Sequence, residues 1–388
     1  MLTSLDRLLA LVEAERKVPD YHRARVGIVL WFVGAVMLAA APLGAQTTIS
    51  GTVVETETGA PVEGATVILL DRSGEPVAWR LTDAIGQFGF ARTRAGTYSL
   101  RTDRIDHASV QSDPFTLEHG ATVVRRLESP VEAIRLDGIE VESNPRCEVR
   151  PGQGAATATV WEEARKALEA ASRTDESGIY RYMIRRHERE LDARARHVRR
   201  ETIQMLEGQE WVTPFRSQGI ENLLENGFAG REDGVFWYYG PDADVLLSDP
   251  FLDTHCMSLS EGEDEAEGLL GLSFQPTEDR GVPDISGVLW LNPVDSELQW
   301  LDYQYEFLDA PNSERLGGKI RFASLPDGTW IVSEWYIRAP ILRWNSTSLT
   351  GGREELRIVG LNEEGGSVVQ VHNLQDDLVI DWSADIIQ

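Results

Sequence analysis

Cysteine and basic residues are both scarce in this sequence. The 388 residues include two cysteines, and 37 Lys and Arg stand against 63 Asp and Glu, which gives a formal net charge of −26. Because duplex binding depends on basic side chains that neutralise phosphates, this balance argues against nucleic acid as a partner. The chain also has no C-x-x-C or H-x-x-x-H spacing, so we predict no metal site and no cofactor.

Common catalytic motifs are missing as well. The sequence contains no G-x-S-x-G elbow, no H-E-x-x-H, no P-loop and no G-x-G-x-x-G in a strand–turn–helix context. We therefore predict that the protein is not an enzyme and has no catalytic residues. The alternative is a hydrolase in the C-terminal region that uses scattered carboxylates with His187 or His197. A second alternative is that these two histidines bind zinc together.

The N-terminal 45 residues predict export. Arg23 and Arg25 precede the apolar run 26–45, which ends in small residues, as is typical of a secretory signal peptide. We expect cleavage after Ala45 and a location in the periplasm, at the outer membrane or outside the cell, with no stable membrane span after cleavage. A membrane anchor is the alternative, since about 20 apolar residues can span a bilayer. Residues 1–25 have two interpretations. They form a short amphipathic helix, or they are not translated because the true start codon lies downstream of Met1.

The two cysteines, Cys147 and Cys256, form an even pair in a chain predicted to be exported. Such a pair predicts a disulfide bond, because oxidising compartments favour it. Two separate buried thiols are the alternative.

Residues 46–128 alternate short β-rich runs with turn signals. About seven such strands, with a turn every 8–12 residues, predict a β-sandwich. In the stretch TDAIGQFGF, Asp83 and Gly86 are suited to a tight turn, and Phe88 and Phe90 alternate so that both rings face one side. A calcium loop is the alternative for Asp83, but too few acidic oxygens lie nearby.

The order SGTVVETETGAPVEGATVIL, TDAIGQFGF and AGTYSLR resembles the carboxypeptidase regulatory-like domain, a prealbumin-like or carbohydrate-binding-like sandwich. The resemblance covers about a fifth of the chain and implies a module without catalytic residues. It also leaves carbohydrate binding by the sandwich itself as an alternative function.

Residues 129–154 read as a linker, and residues 155–388 as a second domain. A helix is predicted near 158–173, with Thr159 as N-cap and with Trp161, Ala164, Leu168 and Ala171 on its buried face. Nine to eleven sequential strands follow, including a hairpin that turns at NEEGG (362–366). The predicted fold is thus mainly β: a seven-stranded β-sandwich, then a curved antiparallel sheet, or half-barrel, with one packed α-helix. This layout resembles the half-barrel of periplasmic lipoprotein carriers.

Candidate ligand-binding residues come from an Arg-rich stretch and from aromatic residues of the second domain. The arginines suit anionic groups, and the aromatic rings suit an acyl chain or sugar rings; solvated strand faces and core packing are the alternatives. The acidic run 261–268 is expected to be a solvated loop, with calcium binding as the alternative. The candidates are Arg181, Arg185, Arg186, Trp237, Tyr239, Trp290 and Trp335.

We therefore expect a non-enzymatic, exported envelope protein that acts as a binding or scaffold module. Its partner is unidentified at this level, and an envelope lipid, a glycan or a protein would each fit.

Overall fold

The computed structural model describes residues 47–131, 156–207, 213–232, 235–277, 280–307, 315–346, 354–374 and 377–382. These residues belong to one compact unit, and none of their helices is both long and apolar enough to cross a lipid bilayer. The predicted signal peptide and most of the predicted linker lie outside the described residues. Export therefore stays a prediction.

The N-terminal part of this unit is a β-sandwich of eight strands. They are β1 (Thr48–Glu55), β2 (Thr66–Leu70), β3 (Pro76–Leu81), β4 (Gln87–Ala91), β5 (Gly96–Asp103), β6 (Val110–Gln111), β7 (Phe115–Leu117) and β8 (Thr122–Ser129). One sheet has the order β4-β1-β8, and the other has the order β3-β2-β5-β6 with β7 also paired to β5. Strands β7 and β8 follow each other in the sequence but join different sheets, so they do not form a hairpin.

The predicted turn and aromatic pair are confirmed. The Asp83 carboxylate accepts hydrogen bonds from the backbone N–H groups of Ile85 (3.1 Å) and Gln87 (2.8 Å). Phe88 and Phe90 are buried in the sandwich core, and their rings meet edge to face. The motif residues therefore build a turn and a core.

The described residues of the C-terminal part form four α-helices and twelve strands. The helices are α1 (Ala156–Ser177), α2 (Ile220–Asn226), α3 (Ala243–Leu247) and α4 (Asp249–Thr254). The strands are β9 (Tyr180–Asp192), β10 (Val198–Glu207), β11 (Ala229–Glu232), β12 (Val235–Tyr238), β13 (His255–Glu261), β14 (Leu270–Pro276), β15 (Asp284–Leu291), β16 (Leu298–Glu306), β17 (Gly317–Ser324), β18 (Trp330–Ser346), β19 (Glu354–Asn373) and β20 (Leu378–Asp381).

Ten of these strands form one antiparallel sheet with the order β10-β9-β19-β18-β17-β16-β15-β14-β13, and β20 pairs with β19. Helix α1 packs against its inner face and contacts β9, β13, β14, β16 and β18. Ala164, Leu168 and Ala171 are buried there, as their helical spacing predicted. A mainly β fold with a helix on a large sheet is thus confirmed, and α2 to α4 are additional helices. The helix begins at Ala156, so Thr159 lies inside it and is not the N-cap.

The hairpin expected at NEEGG is wrong, because β19 runs through these residues as one continuous strand. Asn and Gly within a few residues of each other usually favour a turn. Here a Cβ on Gly366 would lie 2.3 Å from the Trp335 ring, and one on Gly365 would lie 2.7 Å from the His187 ring. The glycines therefore make room for neighbouring rings and do not reverse the chain.

Polar contacts join the sandwich to α1. The buried Lys166 ammonium contacts Glu163 (2.5 Å) on the same helix and donates to the backbone oxygen of His107 (2.5 Å) in the sandwich. Glu163 in turn accepts a hydrogen bond from the backbone N–H of Asp106 (3.2 Å). Burial raises the pKa of Glu163, and the Lys166 charge opposes this effect. These two charged residues of the helix are buried where the sandwich covers them.

A second contact joins the sandwich to the β17–β18 turn. A Cβ on Gly64 would lie 2.8 Å from the Cα of Gly328, and one on Gly328 would lie 2.6 Å from the Cα of Gly64. Both glycines have positive φ. This backbone-to-backbone approach therefore requires glycine on both sides.

Candidate ligand groove

The outer face of the ten-stranded sheet carries a groove of about 670 Å³. Alternate residues of a strand point to opposite faces, so Ser286 and Val288 face outward while Ile285 and Leu289 pack in the core behind them. The groove crosses β14 to β18, and the β9–β10 turn adds residues to its wall. Its polar lining consists of Arg194, Ser273, Gln275, Ser286, Asp302, Gln304, Arg315, Tyr336 and Arg338.

Gly317 lets two strands come close together along the lining of this groove. Its φ is +149°, and a Cβ at this position would lie 2.0 Å from the backbone oxygen of Tyr303. A side chain there would therefore push β17 away from β16.

The β9–β10 turn is held by the side chain of Asp192. This carboxylate accepts hydrogen bonds from the backbone N–H groups of Arg196 (2.6 Å) and His197 (3.1 Å), and these bonds lower the pKa of Asp192. Ala195, which lines the groove, has a φ of +56°, which is uncommon for a residue other than glycine. The hydrogen bonds thus fix the backbone conformation of the turn. Arg194, which belongs to this turn, also lines the groove.

An ion network extends from the groove across the outer face of the sheet. Asp302 accepts hydrogen bonds from the indole N–H groups of Trp290 (3.2 Å) and Trp300 (2.6 Å), and its other oxygen lies 3.3 Å from the Lys319 ammonium. Lys319 also donates to Glu265 (2.7 Å), which belongs to the acidic run 261–268. We expected that run to be a solvated loop, but Glu265 ties it to the sheet.

A second network stands beside Arg338 on the groove wall. The Arg338 guanidinium lies 4.4 Å from the centre of the Tyr336 ring and donates to Glu363 (2.7 Å). Glu363 also accepts from Arg189 (3.1 Å), and the ring nitrogen Nε2 of His187 lies 3.3 Å from it. Burial acts to raise the pKa of Glu363, but His187, Arg338 and Arg189 lower it to about 2. Sequence patterns did not indicate this site, because Glu363 lay in a predicted turn.

A separate cavity of about 990 Å³ lies at the C-terminal end of α1. Asp175, Tyr182 and Arg216 line it, and the Tyr182 hydroxyl lies 3.5 Å from the Asp175 carboxylate. Burial raises the pKa of Asp175 to about 7, although the charge of Arg216 opposes this effect. An acid with such a pKa can give or take a proton at neutral pH.

The candidate binding residues from the sequence do not converge on one site. Arg181 lines the α1 cavity, while Arg185 and Arg186 lie on β9, where Arg186 pairs with an exposed glutamate of β19. Trp335 is buried in the core.

Three other aromatic candidates lie apart from these. Trp237 and Tyr239 stack on each other, with ring centres 5.1 Å apart. Trp290 lies on the outer face of the sheet and borders the groove through its bond to Asp302.

The histidines do not meet either. His187 is buried on β9, whereas His197 follows the β9–β10 turn and is exposed. Asp192, which pairs with His197, lies five residues beyond His187, or about 17 Å along an extended strand. Glu190, three residues after His187, points to the opposite face. No group of three or more potential metal ligands occurs within the described ranges.

Cys256 lies on β13, and Cys147 lies outside the described residues. The disulfide between them stays a prediction.

Comparisons with known proteins identify the sandwich. Residues 48–128 match the family model of the carboxypeptidase regulatory-like domain. Among solved structures, 5-hydroxyisourate hydrolase from Klebsiella pneumoniae is 26% identical, and the match covers 21% of this chain and 86% of that one, with a TM-score of 0.17. The pilus 2b backbone protein of group B streptococcus is 16% identical, with coverage of 22% and 41% and a TM-score of 0.19. This chain therefore spans less than half of that pilus protein.

A candidate carbohydrate-binding protein from Bacteroides uniformis is 11% identical over 61% of this chain and 92% of its own, with a TM-score of 0.19. No curated protein matches the chain. These low TM-scores carry no argument about function, and the likeness of residues 155–388 to the lipoprotein-carrier half-barrel stays a prediction. What the family match establishes, as the sequence predicted, is that residues 48–128 are a carboxypeptidase regulatory-like domain.

Proposed function

We propose that the protein is a non-enzymatic, exported envelope protein that binds a saccharide in the groove on the outer face of its ten-stranded sheet. The observation that carries this proposal is the groove lining, which combines planar polar side chains with the half-buried ring of Tyr336; Phe274 and Tyr303 also line the groove, but both are buried. Gln275, Asp302, Gln304 and Arg338 surround the groove together with Tyr336.

This chemistry suits sugars. The hydroxyl groups of a sugar donate and accept hydrogen bonds, and carboxylate, amide and guanidinium groups supply the matching partners. The C–H face of a sugar ring packs on an aromatic ring. Much of the polar lining is also held in place before a ligand arrives. Asp302 is fixed by two indoles and a lysine, and Arg338 by Glu363. Such preorganisation reduces the entropy lost on binding.

The regulatory-like domain serves in this proposal as a structural module. It packs on α1 through Lys166 and Glu163, and α1 packs on the inner face of the sheet that carries the groove. The sandwich therefore stabilises the sheet from the side opposite the ligand.

A glycan array probed with the protein lacking residues 1–45 tests the proposal. We expect binding to some of the glycans, and we expect Gln275→Trp to abolish it, because the indole would fill the groove. Gln275 is exposed and makes no side-chain hydrogen bond to another described residue, so the fold should tolerate the change. Gln204→Trp, on an exposed part of β10 outside the groove, is the matched control. No binding to any glycan, or equal binding by Gln275→Trp, would reject the proposal.

Asp175 favours a second candidate, acid–base catalysis in the α1 cavity. A carboxyl group with a pKa of about 7 in a cleft is a common feature of active sites. Glycosidase and peptidase panels with the wild type and with Asp175→Asn test this candidate. Activity that the variant lacks would support it, and no wild-type turnover on any substrate of the panels would count against it.

A further inference from the structure

We propose that the groove recognises an anionic group on its saccharide through Arg194 and Arg315. This inference rests on the proposed function and narrows the ligand to an acidic sugar. The recognised chemistry is an oxyanion, either a carboxylate or a phosphate.

The two arginines stand at the same end of the groove. Arg194 projects from the β9–β10 turn, and Arg315 lies two residues before the start of β17. Arg315 Nη1 donates a hydrogen bond to the backbone oxygen of Ala193 (3.2 Å), the neighbour of Arg194. Two arginines from distant parts of the sequence thus line the same part of the groove.

These two arginines have no carboxylate partner among the described residues, whereas three other cations of this face do. Arg338 pairs with Glu363, Lys319 pairs with Glu265, and Arg189 pairs with Glu201. Within the described parts of the chain, neither Arg194 nor Arg315 forms an ion pair, although the whole chain carries 26 excess negative charges. Two unpaired guanidinium groups beside a groove leave a positive site that the protein itself does not fill.

Hydrogen bonds within the β9–β10 turn reduce the entropy that is lost when Arg194 binds an anion. Asp192 holds the backbone of the turn through two hydrogen bonds, and Arg315 adds a third bond at Ala193. The backbone that carries Arg194 is therefore already ordered before an anion binds. Guanidinium groups bind carboxylate and phosphate with two parallel hydrogen bonds, which are stronger than bonds between neutral groups.

The test compares glycans that differ only in charge. Isothermal titration of the protein lacking residues 1–45 uses oligogalacturonate and its methyl ester as one pair, and phosphorylated and dephosphorylated oligomannose as the other. We expect the acidic member of at least one pair to bind about 10- to 100-fold more tightly than its neutral counterpart, and the pair that does so identifies carboxylate or phosphate.

The double variant Arg194→Ala/Arg315→Ala should bind the acidic member no better than the neutral one and should keep the affinity for the neutral member. Arg72→Ala/Arg94→Ala removes the same charge from exposed positions of the sandwich that do not line the groove, and it should behave as the wild type.

Several results would overturn the inference. If neutral glycans bind as tightly as acidic ones, or if the double variant keeps the acidic preference, the anion site is wrong while the saccharide groove stands. If both double variants lose affinity equally, the preference is a general charge effect and not a site. If no glycan on the array or in the titrations binds, the proposed function fails together with this inference.

Discussion

Replacing Glu363 by Gln gives the sharpest test of the network beside the groove. The amide keeps the size of the side chain but removes the negative charge, so Arg189 and Arg338 lose their shared carboxylate. Because Glu363 is only 3% exposed, water cannot replace the lost contacts easily. We therefore expect the free energy of unfolding to fall.

The size of the loss follows from the pKa of Glu363. A fall from 4.5 to about 2 corresponds to roughly 3.4 kcal/mol, at about 1.36 kcal/mol for each pKa unit. Arg189 and Arg338 each keep 29% of their side-chain surface exposed, so water screens part of the attraction. We expect a loss of about 2 kcal/mol at pH 7 after this correction.

The loss should depend on pH in one direction. The pKa of Glu363 is lower in the folded protein than in the unfolded chain, so its stabilisation is complete above pH 4.5 and disappears as the pH falls toward 2. Denaturant unfolding of the wild type and the variant should therefore differ most at pH 7. At pH 3.5, roughly two fifths of the difference should be lost.

Glu364→Gln is the matched control. Glu364 pairs with Arg186, and both side chains are nearly half exposed, so its replacement should cost less than about 0.5 kcal/mol. An equal loss for the two variants, or a loss for Glu363→Gln that does not shrink in acid, would refute the assigned role of Glu363.

Three further predictions concern stability. In thermal unfolding, Gly317→Ala should lower the free energy of unfolding by about 2–3 kcal/mol, because its methyl group would lie 2.0 Å from a backbone oxygen. Gly74→Ala has a positive φ but open space around it and should lower the free energy by about 1 kcal/mol. Equal losses for the two variants would contradict the steric reason. Asp83→Ala removes two hydrogen bonds to the backbone and should lower the denaturation midpoint by the equivalent of about 1–2 kcal/mol, and an unchanged midpoint would show that the turn forms without them. Peptide mapping without reductant should find a disulfide-linked peptide pair that contains Cys147 and Cys256. Reduction of this bond should lower the free energy of unfolding by about 4 kcal/mol. If both thiols alkylate freely, the disulfide is rejected.

Local sequence signals predicted local structure well. The turn at Asp83 depends on residues at most four positions apart, so its hydrogen bonds could be read from the sequence. The helical spacing of Ala164, Leu168 and Ala171 likewise identified the buried face of α1. In both cases, the residues that interact are close together in the chain.

The groove could not be predicted in this way, because its lining comes from residues that range from Arg194 to Arg338 in the sequence. Glu363 shows the same limit more clearly. Its neighbours Asn362, Gly365 and Gly366 favour a turn locally, but its partner Arg189 lies 174 positions away. The long-range ion network and the rings that need the glycines decide the conformation, and neither is visible in a short window.

The polar contact between the sandwich and α1 has a consequence for how this protein can be divided. Lys166 and Glu163 find partners in the sandwich, at His107 and Asp106, that the C-terminal region alone does not provide. Removing the sandwich would leave both charges of the helix without these partners. A sandwich transplanted into another protein would carry a binding surface for a helix that its new host lacks. A cut at the family boundary, which ends before that helix begins, would therefore break these contacts.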